Sequence, residues 1–60
     1  MKIRRTVYDV LFPENSPEWT YTQTEAEFCA EMEAMGCYWD DVMGLYYTPD
    51  DTVSYEILEA

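Results

Sequence analysis

Hydrophobic and polar residues alternate at both ends of the chain, and the alternation predicts β-strands. Residues 2–12, KIRRTVYDVLF, are rich in β-branched and aromatic side chains and predict a first strand. Residues 13–18, PENSPE, have turn composition. In residues 18–22, EWTYT, the aromatic residues alternate with Thr, which predicts a short second strand. Residues 38–47 and 52–58 flank a turn at Pro49 and predict a second hairpin.

The segment between these hairpins, TEAEFCAEMEAMG (24–36), has the pattern of a helix with defined ends. Thr24 is placed to cap the N-terminus, and Glu27 completes a capping box three residues later. Gly36 supplies the left-handed residue that commonly ends a helix. Apolar residues recur at i, i+4 and i+7, and they predict one buried stripe formed by Phe28, Met32 and Met35.

The predicted element order is ββαββ, or βαββ if residues 18–22 are only an extended lead-in. Sixty residues form a single domain (1–60) of the α+β class, with a small antiparallel sheet and one helix packed on one face. Because Asp9 and Glu56 should avoid the core, we expect the helix-facing residues to be Tyr8, Val10, Phe12, Val53, Tyr55 and Ile57. The opposite face is then expected to carry Val7, Leu11 and Leu58.

Charge is distributed very unevenly along the chain. The net charge is −10, and all three basic residues lie within the first five positions, followed by thirteen acids without a base. Ten aromatic residues argue against disorder. A solvated face that maintains solubility is the ordinary explanation for such acids. However, Glu27 and Glu31 form a like-charge i, i+4 pair, and Glu31 and Glu33 approach the helix C-terminus, where the dipole disfavours anions.

The residue types present do not suggest catalysis or cofactor binding. There is no histidine and no nucleophile motif, and the neighbouring acid pairs 40–41 and 50–51 should point their side chains apart. Room for a substrate cleft of several hundred cubic ångströms is not expected either. The acids do not follow a calcium-loop pattern, and four Cys or His ligands for zinc are missing. We therefore expect no enzyme activity, no metal and no cofactor.

The two cysteines and the hydropathy pattern give further expectations. Cys29 and Cys37 should be about 12 Å apart along a helix, too far for a disulfide, so free thiols are expected, with Cys29 buried. No export signal or membrane-spanning run is apparent, and the expected location is the cytoplasm.

The acidic segment predicts a binding surface for a basic partner. Proteins that hold nucleic acids do so with Lys and Arg, and a folded surface of carboxylates can occupy the same groove. Direct binding of nucleic acid is opposed by the charge of this chain. The alternative is a protein-interaction module or a homodimer that uses the uncovered sheet face or an edge strand. The candidate partner-binding residues are Glu27, Glu31, Glu33, Asp40, Asp41, Asp50 and Asp51, with Trp39 as an aromatic anchor.

A small domain with this charge, a capped acidic helix and surplus Trp and Tyr resembles the small acidic counter-defence proteins encoded by phages. These are anti-CRISPR and anti-restriction inhibitors, several of which mimic nucleic acid. The resemblance covers the whole chain and is one of composition and architecture. It implies a non-enzymatic inhibitor that binds a CRISPR effector, a restriction protein or a related defence protein inside the host cell.

Overall fold

The computed structural model describes all sixty residues, which form one antiparallel sheet of five strands and one α-helix. The predicted α+β class is confirmed, although the order is ββαβββ, with one strand more than predicted. In the sheet the strands lie in the order β2-β1-β5-β4-β3, so β2 and β3 are the two edges. The elements are β1 (Lys2–Val7), β2 (Glu18–Thr22), α1 (Glu25–Met35), β3 (Tyr38–Asp40), β4 (Leu45–Tyr47) and β5 (Val53–Glu59), with a 3-10 turn at Pro13–Asn15.

Strand β1 is shorter than predicted because Asp9 starts a turn. One oxygen of the Asp9 side chain, Oδ1, accepts the backbone N–H groups of Leu11 and Phe12, both at 3.0 Å. Asp side chains favour turns through such local bonds. The predicted inward positions of Val10 and Phe12 are therefore wrong, since both side chains are exposed and Val10 is 83% accessible.

The orientation of β1 is also opposite to the prediction. Ile3 lies across from Ile57 and Val7 from Val53, and directly opposed residues share a face of the sheet. Val53 packs against the core, so Val7 faces the helix side. It does not face the open face, which is the side of the sheet that the helix does not cover. Tyr8, expected to face the helix, instead bonds with its hydroxyl to Ser54 Oγ at 2.8 Å on the open face. The prediction assigned the β1 residues to the wrong faces because it took Asp9 as an outward residue of the strand, whereas Asp9 lies beyond the end of β1.

The segment 38–47 contains a complete hairpin rather than one strand. Asp40 Oδ1 accepts the backbone N–H groups of Val42 at 3.0 Å and Met43 at 3.2 Å, which closes a turn between β3 and β4. Gly44 has φ of +70°, a conformation that glycine adopts without a Cβ clash. The chain therefore reverses once within the predicted strand, and β4 then pairs with β5.

Helix α1 has the ends that the sequence predicts. Thr24 Oγ1 accepts the N–H of Glu27 at 3.1 Å, and Glu27 Oε1 accepts the N–H of Thr24 at 3.2 Å, which forms the reciprocal capping box. Gly36 closes the helix with φ of +70°.

The core lies between α1 and the centre of the sheet and contains Ile3, Phe28, Met32 and Tyr55. The Phe28 ring meets Tyr46 edge-on, with centroids 5.4 Å apart, and Tyr55 similarly at 6.5 Å. Met35, the third residue of the predicted stripe, is 40% exposed, although its sulfur accepts the Tyr55 hydroxyl at 3.7 Å. Phe28 and Met32 are therefore the two buried residues of the stripe, and Met35 contacts the core only from its margin.

Shortening Ile3 tests this arrangement. Its side chain is completely buried, so Ile3→Val should lower the free energy of unfolding by about 0.5–1.5 kcal/mol and Ile3→Ala by about 2–5 kcal/mol. Chemical denaturation followed by circular dichroism measures both. The matched control, Val10→Ala, should change stability by less than about 0.5 kcal/mol. A larger loss of unfolding free energy from Val10→Ala than from Ile3→Val would contradict a core that contains Ile3.

Candidate functional site

The thirteen acids fall into two groups in the structure. Six accept hydrogen bonds or an ion pair within the chain, and they are Asp9, Glu27, Asp40, Asp50, Asp51 and Glu56. The other seven have no such partner, and they are Glu14, Glu18, Glu25, Glu31, Glu33, Asp41 and Glu59. Local structure therefore accounts for about half of the acidic surplus.

Two of the candidate residues stabilise the ends of structural elements. The Glu27 carboxylate accepts from Thr24, whose hydroxyl lies 2.8 Å away, and these bonds lower the pKa of Glu27. Asp50 Oδ1 accepts the hydroxyls of Thr52 at 2.7 Å and Thr48 at 2.8 Å, and these bonds likewise lower its pKa. Both carboxylates favour their charged form because neighbouring O–H and N–H groups are directed at it.

Asp51 forms a long-range contact in the same turn. Its Oδ1 accepts the hydroxyl of Tyr38, and this bond raises the pKa of Tyr38 to about 12. Asp51 itself has φ of +61°, in the left-handed region that Asp and Asn enter more readily than most residues. This bond therefore ties the edge strand β3 to the turn between β4 and β5.

Trp39 and Asp40 lie on the edge strand β3. The Trp39 ring packs against Tyr46, with centroids 4.9 Å apart, yet the residue stays 52% exposed. Asp40 closes the turn that follows, and Asp41 lies in that turn, exposed and without a partner. The edge therefore presents a supported aromatic ring beside two carboxylates.

Glu31 and Glu33 are the candidate acids on α1 that have no structural partner. Both are exposed. Burial is the main cause of a raised pKa at Tyr21, and the charge of Glu31 adds to it, which places this carboxylate beside β2. A Cβ added at Gly36 would lie 3.6 Å from Pro49 Cγ, so the end of α1 lies beside the turn that carries Asp50 and Asp51.

A row of tyrosines on the open face was missed by the sequence analysis. The Tyr47 ring stacks on Tyr38, with centroids 5.9 Å apart, and on Tyr8 at 6.4 Å. Burial is the main cause of a raised pKa at Tyr47, and the charges of Asp40 and Asp51 contribute. The separation of Tyr8 from the other two in sequence explains why alternation alone did not group them.

The basic residues lie in β1, away from the β3 edge. Arg4 forms an ion pair with Glu56 on the open face. On the helix side, the Arg5 guanidinium lies 5.4 Å from the centre of the Trp19 ring, and its Nε donates to the Tyr55 hydroxyl at 3.4 Å. Two strands separate β1 from β3, so no base lies next to the β3 edge, whereas Glu56 and Glu59 lie directly beside bases of β1.

The largest surface depression, about 480 Å³, lies between the end of α1 and the β4–β5 turn. It is larger than the sequence led us to expect. Its wall includes one base, Arg5, and one acid, Asp50, which already accepts hydrogen bonds from Thr48 and Thr52.

Both cysteines are free thiols, and Cys29 is exposed, so its predicted burial was wrong. Cys37 is half-buried, and this burial raises the pKa of its thiol. No three acidic or cysteine side chains come together in a way that could hold a metal ion. The one helix is too short and too polar to cross a membrane.

Comparisons with known proteins found no family model, no curated protein and no solved structure that matches this chain. The candidate site therefore has to be judged on its own geometry.

The bond between Tyr38 and Asp51 can be tested by titration. Asp51→Asn keeps a residue that tolerates the left-handed conformation but removes the negative charge, so the pKa of Tyr38 should fall from about 12 towards its ordinary value of about 10. Tyrosinate absorbance, compared with a Tyr38→Phe variant, measures this change.

The same bond sets a pH dependence of stability. Because the pKa is raised in the folded state, the contribution is complete below about pH 10 and is lost as the pH rises through about 12. Asp41→Asn is the matched control and should leave the pKa of Tyr38 unchanged. Equal shifts in the two variants would mean that the general negative field, and not this bond, raises the pKa.

Proposed function

We propose that this chain is a non-enzymatic inhibitor or decoy that binds the basic groove of a nucleic-acid-binding protein. A CRISPR effector, a restriction protein or a related defence protein in the cytoplasm of a host cell is the kind of partner that fits. The observation that carries the proposal is the charge segregation, since thirteen acids and no base follow residue 5. A groove that evolved to hold phosphates attracts such a surface over long range.

The shape of the domain supports mimicry of a short duplex. Its long axis extends over 34 Å. One turn of B-DNA has a length of about 34–36 Å. A domain of this length can therefore offer carboxylates over about the same span as the phosphates of one helical turn.

The candidate acids keep oxygens available for a partner. Glu31, Glu33 and Asp41 have no bond within the chain, so both oxygens of each are free. Four further acids accept hydrogen bonds within the chain through one oxygen only, which leaves the second oxygen to Lys or Arg, and they are Glu27, Asp40, Asp50 and Asp51. Local structure thus orients these carboxylates without neutralising them.

Exposed side chains at the β3 edge supply contacts of a second kind. Trp39 is half-exposed and supported from behind by Tyr46. Val42, in the following turn, is 89% exposed, and Met43 beside it is also exposed. Aromatic anchors commonly dominate binding energy, and charges around them set the association rate. Asp40 and Asp41 therefore adjoin the most suitable anchor on the molecule.

Charge reversal at matched positions tests the proposal against purified basic effectors. The double variant Glu33→Lys/Asp41→Lys changes two exposed acids that have no structural bond, so the fold should be kept. Its affinity should fall by about 10-fold or more, since each lost charge contact costs about 1 kcal/mol. The double variant Glu14→Lys/Glu59→Lys changes the net charge by the same amount. Neither position is a candidate partner-binding residue, so this variant should bind almost normally. Isothermal titration calorimetry or surface plasmon resonance measures the affinities of both variants.

The salt dependence provides the deciding outcome. Binding should weaken steeply between about 50 and 200 mM salt, as expected for contacts that replace phosphates. Equal losses in the two double variants, or binding that does not change with salt, would contradict electrostatic mimicry.

The alternative is an interaction module that docks by apolar contacts without mimicking nucleic acid. The exposure of Val42 and Leu11, both above 80%, favours it as the second candidate. In that case Val42→Ser should abolish binding, whereas the charge reversals should have little effect.

A further inference from the structure

Strand β2 has a free edge of five residues. At one end of the β1–β2 pairing, Met1 O accepts the N–H of Gln23, and at the other end Pro17 O accepts the N–H of Val7. Between these two points, every second pair of opposed residues is hydrogen-bonded. Residues 19 and 21 therefore bond to β1, whereas the backbone groups of Glu18, Thr20 and Thr22 are directed away from the sheet.

The opposite edge is much less suitable for strand pairing. Strand β3 has only three residues and is followed at once by the turn that Asp40 closes. Short edge strands, inserted prolines and charges are the usual protections against pairing with another chain. Strand β2 has no proline or lysine and carries one charge, at its first residue, Glu18.

The outward groups of β2 match those of a second copy in one register. If Thr20 of each copy lies opposite Thr20 of the other, Glu18 of each copy lies opposite Thr22 of the other. The backbone N–H and C=O of all three outward residues then form hydrogen bonds with the opposed residue of the second copy. Any shift from this register loses at least one bonded pair. The arrangement has two-fold symmetry and closes after two copies.

The side chains agree with this register. On the helix side, Trp19 of one copy lies opposite Tyr21 of the other, and aromatic pairs across strands stabilise sheets. On the open face, Thr20 meets Thr20, and Glu18 meets the uncharged Thr22. No like charges are directly opposed.

The charges behind β2 also favour this edge. Lys2 lies beside Thr22, Arg4 beside Thr20 and Arg5 beside Trp19, so all three bases of the chain flank the strand. In the paired register, Glu18 of the second copy lies in the same row as Lys2, with only Thr22 between them. On the open face, the β2 edge therefore brings a base of one copy near an acid of the other.

We propose that two copies of this chain associate through β2, antiparallel and centred on Thr20, to form one continuous sheet of ten strands. The association does not involve the β3 edge, so each copy keeps Trp39, Asp40 and Asp41 accessible.

Sedimentation or light scattering over a concentration series tests the association. The mass should rise from that of one chain to that of two, and higher salt should strengthen the association because the copies repel each other. Thr20→Pro should weaken it about 100-fold, tenfold for each N–H removed, while the monomer stays folded, because proline is tolerated where an edge N–H faces solvent. Thr20→Val keeps the N–H and should associate normally.

Crosslinking tests the register in a background of Cys29→Ser and Cys37→Ala. In the proposed dimer the two Thr20 Cα atoms are about 5.5 Å apart, so Thr20→Cys should form an intermolecular disulfide with oxidised glutathione. The matched variant Thr22→Cys places its sulfurs more than about 10 Å apart and should remain largely reduced. A monomeric mass at all concentrations, association unaffected by Thr20→Pro, or equal crosslinking of the two cysteine variants would overturn the proposal.

Discussion

The packing of Phe28 and Met32 on Ile3 and Tyr55 is the contact on which the other features of this domain depend. Only four hydrophobic side chains are buried, because a chain of this size has one helix to cover a sheet of five strands. A single helix covers one face, so the other face and both edges of the sheet stay exposed to solvent or a partner. The exposed sheet face and the two free edges are thus a consequence of a small core.

The same constraint explains why so many acids serve the backbone. With little core to hold the loops, turns depend on local hydrogen bonds, and Asp9, Asp40 and Asp50 each accept backbone N–H groups in a turn. Asx side chains are suited to this role because they bond their own backbone two residues ahead. Asp9, Asp40 and Asp50 therefore have a structural role that does not depend on a partner. The seven acids without a bond are the ones that hydrogen bonds and ion pairs within the chain leave unexplained.

The sequence predicted the helix and its ends correctly because capping is a local interaction among residues close in the chain. Thr24, Glu27 and Gly36 determine it without reference to the sheet. The sequence prediction failed for β1, where Asp9 was treated as a polar position within a strand, although its side chain closes a turn. It failed for 38–47 for the same reason at Asp40. Turn-forming Asp residues and outward-facing Asp residues look alike in a pattern of alternation, and only the hydrogen bonds distinguish them.

The candidate site was predictable in composition but not in arrangement. The acids and Trp39 stand out from the charge pattern, whereas the stack of Tyr8, Tyr47 and Tyr38 depends on strand order. Strand order also separates the two edges. The β3 edge collects an exposed tryptophan and free carboxylates, and the β2 edge lies next to all three basic residues and has three residues whose backbone groups face outward. The two proposed contacts, with a basic partner at β3 and a second copy at β2, use opposite edges with β1, β5 and β4 between them. Two acidic edges held at the far ends of one continuous sheet would present the partner with charge on both sides of the dimer.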